Sequence, residues 1–144
     1  STFEGYCLLT SSFFSAYMTN TEHRLLQAER DKAEDNTIIL HDFFYKNYDL
    51  KIKYDPSDPL KPFVEFDDQI IGSTAEAFGT IYGNGKLMCT QPVAYDSYYN
   101  VCQKFVFLYS TIYVVGKGTV GTYVNILEWI SDEEAEQYKK EEGL

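Results

Sequence analysis

Few side chains in this 144-residue chain could carry covalent chemistry, so their spacing decides whether any does. The histidines are His23 and His41. Zinc takes three or four ligands, and a catalytic imidazole needs a positioned nucleophile or carboxylate. His41 precedes Asp42 directly, but adjacent residues of a strand face opposite sides. Cys7, Cys89 and Cys102 are odd in number and show no Cys-x-x-Cys spacing, which argues against a pure disulfide framework, a zinc knuckle or a redox motif. Cys89 and Cys102 lie on two strand-like runs and could bridge, leaving Cys7 free. Equally, all three could be small buried hydrophobes. Glu65, Asp67 and Asp68 form an acidic cluster, and Asp55 and Asp58 a second. Paired carboxylates hydrolyse glycosides only at defined separations, and neither cluster has the spacing of a calcium loop. They read as solvated loops. No catalytic residue, no metal ligand and no cofactor is expected.

Gly116-Lys117-Gly118-Thr119-Val120-Gly121 matches G-x-G-x-x-G literally. A dinucleotide site needs those glycines to open a helix whose free amides hold a pyrophosphate. Here they run into Thr122-Tyr123-Val124-Asn125-Ile126, a strand-like sequence, so the motif reads as a glycine-rich turn. The stretch that does suggest a ligand is Tyr95-Asp96-Ser97-Tyr98-Tyr99-Asn100. Tyrosines beside short polar groups can stack on a partner and hydrogen-bond to it. Tyr95, Asp96, Tyr98, Tyr99 and Asn100 are the candidate ligand-binding residues.

Composition narrows the partner. The formal net charge is −10, and the twelve Lys and Arg form no basic run. Nucleic acids and anionic membranes are recognised by clustered cations, so neither is expected here. Neutral ligands such as glycans, small apolar ligands and basic protein patches remain open. Thirteen Tyr, ten Phe and one Trp bring the aromatic share to 17%, which suits sheet faces and binding surfaces alike.

The elements that must position these residues are mostly strands. Phe3–Leu9 and Phe13–Met18 read as two extended runs split by a turn at Thr10-Ser11-Ser12. Residues 21–34 fit either strand or helix. Thr37–Tyr45 is β-branched and aromatic, and Tyr48, Leu50, Ile52 and Tyr54 alternate with polar residues. Asp55-Pro56-Ser57-Asp58-Pro59 stops that strand. Short strands follow at 63–66 and 69–71, then a run at 75–82, a tight turn at Gly83-Asn84-Gly85 and a return strand at 86–90. A polar, Tyr-rich loop is expected over 91–100, a long strand over 101–115 and a last strand over 122–130. Ser131 and Glu134 have capping-box spacing, so a short helix closes the chain. No apolar run has the roughly 20 residues of a membrane helix. Eight to ten strands at this spacing make an all-β domain over residues 1–130, an antiparallel barrel or sandwich, with a helical tail at 131–144.

Asn36-Thr37-Ile38-Ile39-Leu40, Asp42-Phe43-Phe44, Tyr48-Asp49-Leu50-Lys51-Ile52 and Gln69-Ile70-Ile71-Gly72 follow one another in this order, and Gly121-Thr122-Tyr123 with Leu127-Glu128-Trp129 closes the series. This series resembles small calycin-like, or lipocalin-like, β domains of Bacteroidetes surface lipoproteins over about two-thirds of the chain. The resemblance implies an antiparallel barrel of about eight strands. It also implies an extracytoplasmic location, at the outer membrane surface or in the periplasm, through a lipid anchor that these residues do not include. It carries no catalytic or ligand residue. The expected function is non-enzymatic binding of a glycan, a small ligand or a surface protein. The alternatives are a small-barrel enzyme of the dirigent or allene-oxide-cyclase kind and a purely structural module.

Overall fold

A computed structural model describes residues 3–18 and 23–144. Ten strands are present among them: β1 (Gly5–Ser11), β2 (His23–Arg30), β3 (Thr37–Leu40), β4 (Leu50–Tyr54), β5 (Phe63–Glu65), β6 (Gln69–Ser73), β7 (Lys86–Thr90), β8 (Ser97–Asn100), β9 (Phe105–Val114) and β10 (Gly118–Trp129). Three helices accompany them: α1 (Ser12–Tyr17), α2 (Thr74–Phe78) and α3 (Asp132–Glu142).

The strands close into a ring of eight in the order β10-β1-β2-β3-β4-β5-β8-β9, with β9 pairing back onto β10. Every pairing is antiparallel. The remaining hairpin, β6–β7, extends the same wall. β7 pairs Leu87–Thr90 with Val114–Thr111, and β8 pairs Tyr98–Asn100 with Phe107–Phe105, so both use one edge of β9. β5 and β6 likewise follow one extended course beside β4. The wall is thus an up-and-down barrel of eight long strands, two of them interrupted midway. Closure removes the free edges that an open sheet would expose. One interruption is bridged by a side chain: Lys51 donates its backbone N–H to Gln69 Oε1 at 2.8 Å, and Gln69 Nε2 donates to the Lys51 carbonyl at 2.8 Å. The Gln69 amide takes the place of a strand residue between β4 and β6.

Alternation decides which residues fill the barrel. Along β9, Val106, Leu108, Ser110 and Ile112 are buried, and the residues between them face outward. Both ends of the interior are filled by rings. At one end Phe13 stacks on Phe44 at 4.8 Å and Phe44 on Phe43 at 4.5 Å. At the other, Phe3 packs on Trp129 at 4.9 Å and on Tyr54 at 5.5 Å. Between them a buried polar group is satisfied internally: Ser11 Oγ donates to Asn125 Oδ1 at 2.6 Å, and Asn125 Nδ2 donates to the Leu108 carbonyl at 2.9 Å and to Ser110 Oγ at 2.8 Å.

Four sequence expectations need correction. Phe13–Met18 is helix α1 and not a strand. Phe13 and Phe14 are both fully buried, which adjacent strand residues pointing to opposite faces could not achieve. Ser11 caps the helix by accepting from the Phe13 N–H. The run at 37–45 is strand only to Leu40. Beyond it Phe43 and Phe44 are again adjacent and both buried, and the chain turns through Asp42 (φ 51°) and Asn47 (φ 75°). Residues 75–82 form α2 and a 3-10 turn, because Ser73 caps the Glu76 N–H and two alanines favour helix. The loop expected at 91–100 contains β8, since Ser97 and Tyr99 turn inward while Tyr98 faces out. The ambiguity over 21–34 resolves as strand from His23 to Arg30; positions 21 and 22 lie outside the described residues. The three cysteines are free thiols, Cys7 and Cys89 buried and Cys102 exposed. Burial pushes the Cys89 thiol up to about 12, so it is an inert packing group.

The C-terminal helix has the expected capping box between Ser131 and Glu134. It lies against the barrel: Ala135 is buried, and Lys139 Nζ donates to Tyr6 Oη at 2.9 Å.

Candidate functional site

The outward residues of β8 and β9 collect rings. Tyr98 lies opposite Phe107 in the ladder, and Asn100 opposite Phe105. Tyr98 stacks on Phe107 with centroids 5.1 Å apart and planes within 7°. Phe107 meets Tyr109 at 5.2 Å, Tyr95 stacks on Tyr109 at 5.0 Å, and Tyr98 meets Phe105 edge-on at 6.1 Å. Tyr95, Tyr98, Phe105, Phe107 and Tyr109 therefore form one continuous chain of ring contacts on the outside of the barrel. Phe63 of β5 stands opposite Tyr98 on one side. Val124 and Ile126 of β10 stand opposite Tyr109 and Phe107 on the other. Tyr95 is 53% exposed and Phe63 43%, so the face is open to solvent.

The candidates read from sequence divide. Tyr95 and Tyr98 belong to this face; Asp96 lies on the loop between Tyr95 and β8, and all three are exposed. Tyr99 does not. It is buried, packs on Phe3 and Tyr54, and donates its hydroxyl to the Asp55 carbonyl at 3.2 Å. Burial holds its phenol above the ordinary range, as suits a packing residue. Asn100 is half-buried, and its Oδ1 accepts from the Gln103 N–H at 2.8 Å, so it fixes the turn into β9. Phe105, Phe107 and Tyr109 complete the face and are absent from the sequence-derived set. Their signal is the strict alternation of rings with Val106, Leu108 and Ser110.

The other clusters are arranged differently. His41 sits between two carboxylates, with Nε2 2.9 Å from Glu29 Oε1 and Nδ1 3.3 Å from Asp49 Oδ2. Carboxylates only accept, so both contacts are made together when the ring carries both protons. Partial burial opposes that charge, and the two carboxylates override it, raising the His41 pKa above its ordinary value. Among the described residues, both partners of this imidazole are carboxylates, with no hydroxyl or thiol hydrogen-bonded to it. It closes one side of a surface groove between β2 and α3, lined also by Tyr6, Arg24, Gln27 and Lys139. Glu65, Asp67 and Asp68 line a second outer groove with Lys53, Thr90 and Gln91. Among the described residues, no three His, Cys, Asp or Glu side chains converge so as to hold a metal ion. None of the described helices is long and apolar enough to cross a membrane.

Residues 1–141 match the model of a family described as a domain of unknown function (DUF4984), and the chain belongs to that family. The searches of curated proteins and of solved structures returned no match.

Proposed function

We propose that this member of the family is a non-enzymatic binding module that takes a glycan on the outside of its barrel wall. The observation that carries the reading is the chain of four ring contacts that joins five rings, from Tyr95 through Tyr109, Phe107 and Tyr98 to Phe105. Rings on a sheet are held rigidly, so they offer apolar contact at little cost in side-chain entropy. Tyr95 packs on Tyr109 and is still half-exposed, which leaves surface for the apolar side of a sugar. Asp96 on the adjoining loop adds hydrogen-bond acceptors.

The location proposed is extracytoplasmic, with the domain carried by a lipid-anchored surface protein of the calycin-like kind named above. An eight-stranded up-and-down wall, an acidic surface and outward rings support that reading. Binding inside the barrel is less well supported, because Phe13, Phe43 and Phe44 occupy one end and Phe3 and Trp129 the other. The same filling disfavours a small-barrel enzyme that works in its own mouth.

A glycan array probed with the full chain and with a Tyr95→Ala, Tyr98→Ala double variant tests this. Binding by the native chain that the variant loses is the expected result. An array without any bound glycan, at protein concentrations that detect weak lectins, removes the reading.

A further inference from the structure

The outer face does not stop at its rings. One step beyond Tyr109 along β9, Thr111 lies opposite Thr90 of β7 on one side and Thr122 of β10 on the other. The Thr111 and Thr122 hydroxyls are 2.8 Å apart. Thr90 donates its hydroxyl to Asp68 Oδ1, and Tyr113 donates to Asp68 Oδ2 at 2.9 Å. A polar rung, Asp68–Thr90–Thr111–Thr122, thus crosses the wall directly above the aromatic rungs. It opens past Asp68 into the groove of about 520 Å³. There Gln91 Oε1 accepts from the Phe66 N–H at 3.0 Å, which leaves the Gln91 amide hydrogens turned to other acceptors. Rings and groove flank one connection, residues 91–96, with Gln91 at its groove end and Tyr95 beside Tyr109.

We infer that the ligand is a neutral, chain-like oligosaccharide lying along β9, its apolar side on the rings and its hydroxyls on the Asp68–Thr90–Thr111–Thr122 rung and the groove beyond. This inference rests on the glycan reading above and adds the class of glycan. Length enters through the strand: Phe105 to Thr111 spans roughly 20 Å at about 3.3 Å per residue, more than one sugar covers. A short ligand reaches rings or rung, whereas a longer one reaches both. Charge enters through the frame. Asp96 and Glu128 flank the rings, and Glu65, Asp67 and Asp68 flank the rung, against Lys53 and Lys104. A uronate or sulfated chain would meet like charge along most of that path. A carboxylate such as Asp68 has lone pairs beyond the two hydrogen bonds it already accepts, and sugar hydroxyls can donate to them.

Calorimetric titration of the full chain with neutral gluco- and manno-oligosaccharides, from disaccharide to hexasaccharide, and with galacturonate oligomers of equal length tests the inference. Affinity for a neutral series should rise about tenfold or more from shortest to longest, as an added set of hydrogen bonds implies, while galacturonates stay unbound. A Thr90→Val, Thr111→Val variant keeps the surface shape; it should flatten the length dependence, with the longer chains falling toward disaccharide affinity. Asp68→Asn should narrow the gap between neutral and uronate chains. Neutral chains bound without length dependence, with the threonine variant indistinguishable from native, would overturn the chain-like path and leave the glycan reading standing. Tighter binding of galacturonates would overturn the charge assignment. Failure of every glycan to bind would remove both readings, and loss of binding in Tyr95→Ala, Tyr98→Ala separates a true face from a weak general affinity.

Discussion

The rings inside this barrel and the rings on its wall are the same residue types put to opposite uses. Phe13, Phe14, Phe43 and Phe44 are fully buried and face one another across the barrel end, with every apolar atom withdrawn from water. Tyr95, Tyr98, Phe105, Phe107 and Tyr109 also pack ring on ring, but each keeps a part in solvent. Folding needs only the first set. The second adds cross-strand contacts of modest value to the sheet and leaves apolar surface for something else to cover. Stability should therefore follow the inner rings, and binding the outer ones.

The largest expected effect is at Phe44, which touches Phe13, Phe14 and Phe43. Phe44→Ala should lower unfolding free energy by about 3–5 kcal/mol, the range for emptying a packed aromatic site, measured by urea denaturation. A change under about 1 kcal/mol would mean that the barrel end is loosely packed and would blur the distinction between inside and outside.

Next comes the buried amide. Asn125→Ala deprives Ser11, Ser110 and the Leu108 carbonyl of a partner, and should cost about 1–3 kcal/mol for each group left unsatisfied, read in the same denaturation experiment. Gln69→Ala should cost less, about 1 kcal/mol. Its sharper signature is local: the Lys51 amide, which donates to Gln69 Oε1, should exchange with deuterium faster than in the native chain. Unchanged exchange there would show that the barrel does not depend on that side chain to span β4 and β6.

At the outer face, Phe107→Ala should shift the unfolding free energy by no more than about 1 kcal/mol, as for a cross-strand pair on a sheet surface. A loss as large as that at Phe44 would make the face part of the core and weaken its reading as a contact surface. The smallest effect is the pH response of His41. Its folded pKa is raised, so the stability it contributes is fully present below the ordinary imidazole value of about 6.5 and is lost as pH rises through the folded value. Its side chain is partly exposed, which makes the contribution modest. An NMR titration should place the His41 midpoint above about 6.5, and Asp49→Asn should bring it down.

Much of the fold is legible in the residues. The alternation of Leu50, Ile52 and Tyr54 with polar residues, the proline-rich stop after Tyr54 and the Ser131–Glu134 box each have one physical meaning, and each appears as read; the strand expected over 101–115 runs from Phe105 to Val114, after a turn at 101–104. Two of the failures share one cause. Phe13-Phe14 and Phe43-Phe44 look like strand because phenylalanine favours sheets, yet both pairs must bury two adjacent rings at a barrel end, which only a helix or an irregular turn allows. The face was half legible for a related reason. The tyrosine-rich run at 95–100 marks its border, but Tyr99 turns inward because it follows the outward Tyr98 on a strand not anticipated there. Phe105, Phe107 and Tyr109 join Tyr95 and Tyr98 only through register across β8 and β9, a property of pairing and not of any one segment.

The most direct test joins both halves of the account in one protein: the Tyr95→Ala, Tyr98→Ala variant, measured for glycan affinity and for its urea unfolding midpoint alongside the native chain. The account expects glycan binding to be lost while the midpoint stays close to native. Binding retained at native strength, or a collapse of the midpoint with these two exposed rings removed, would contradict it.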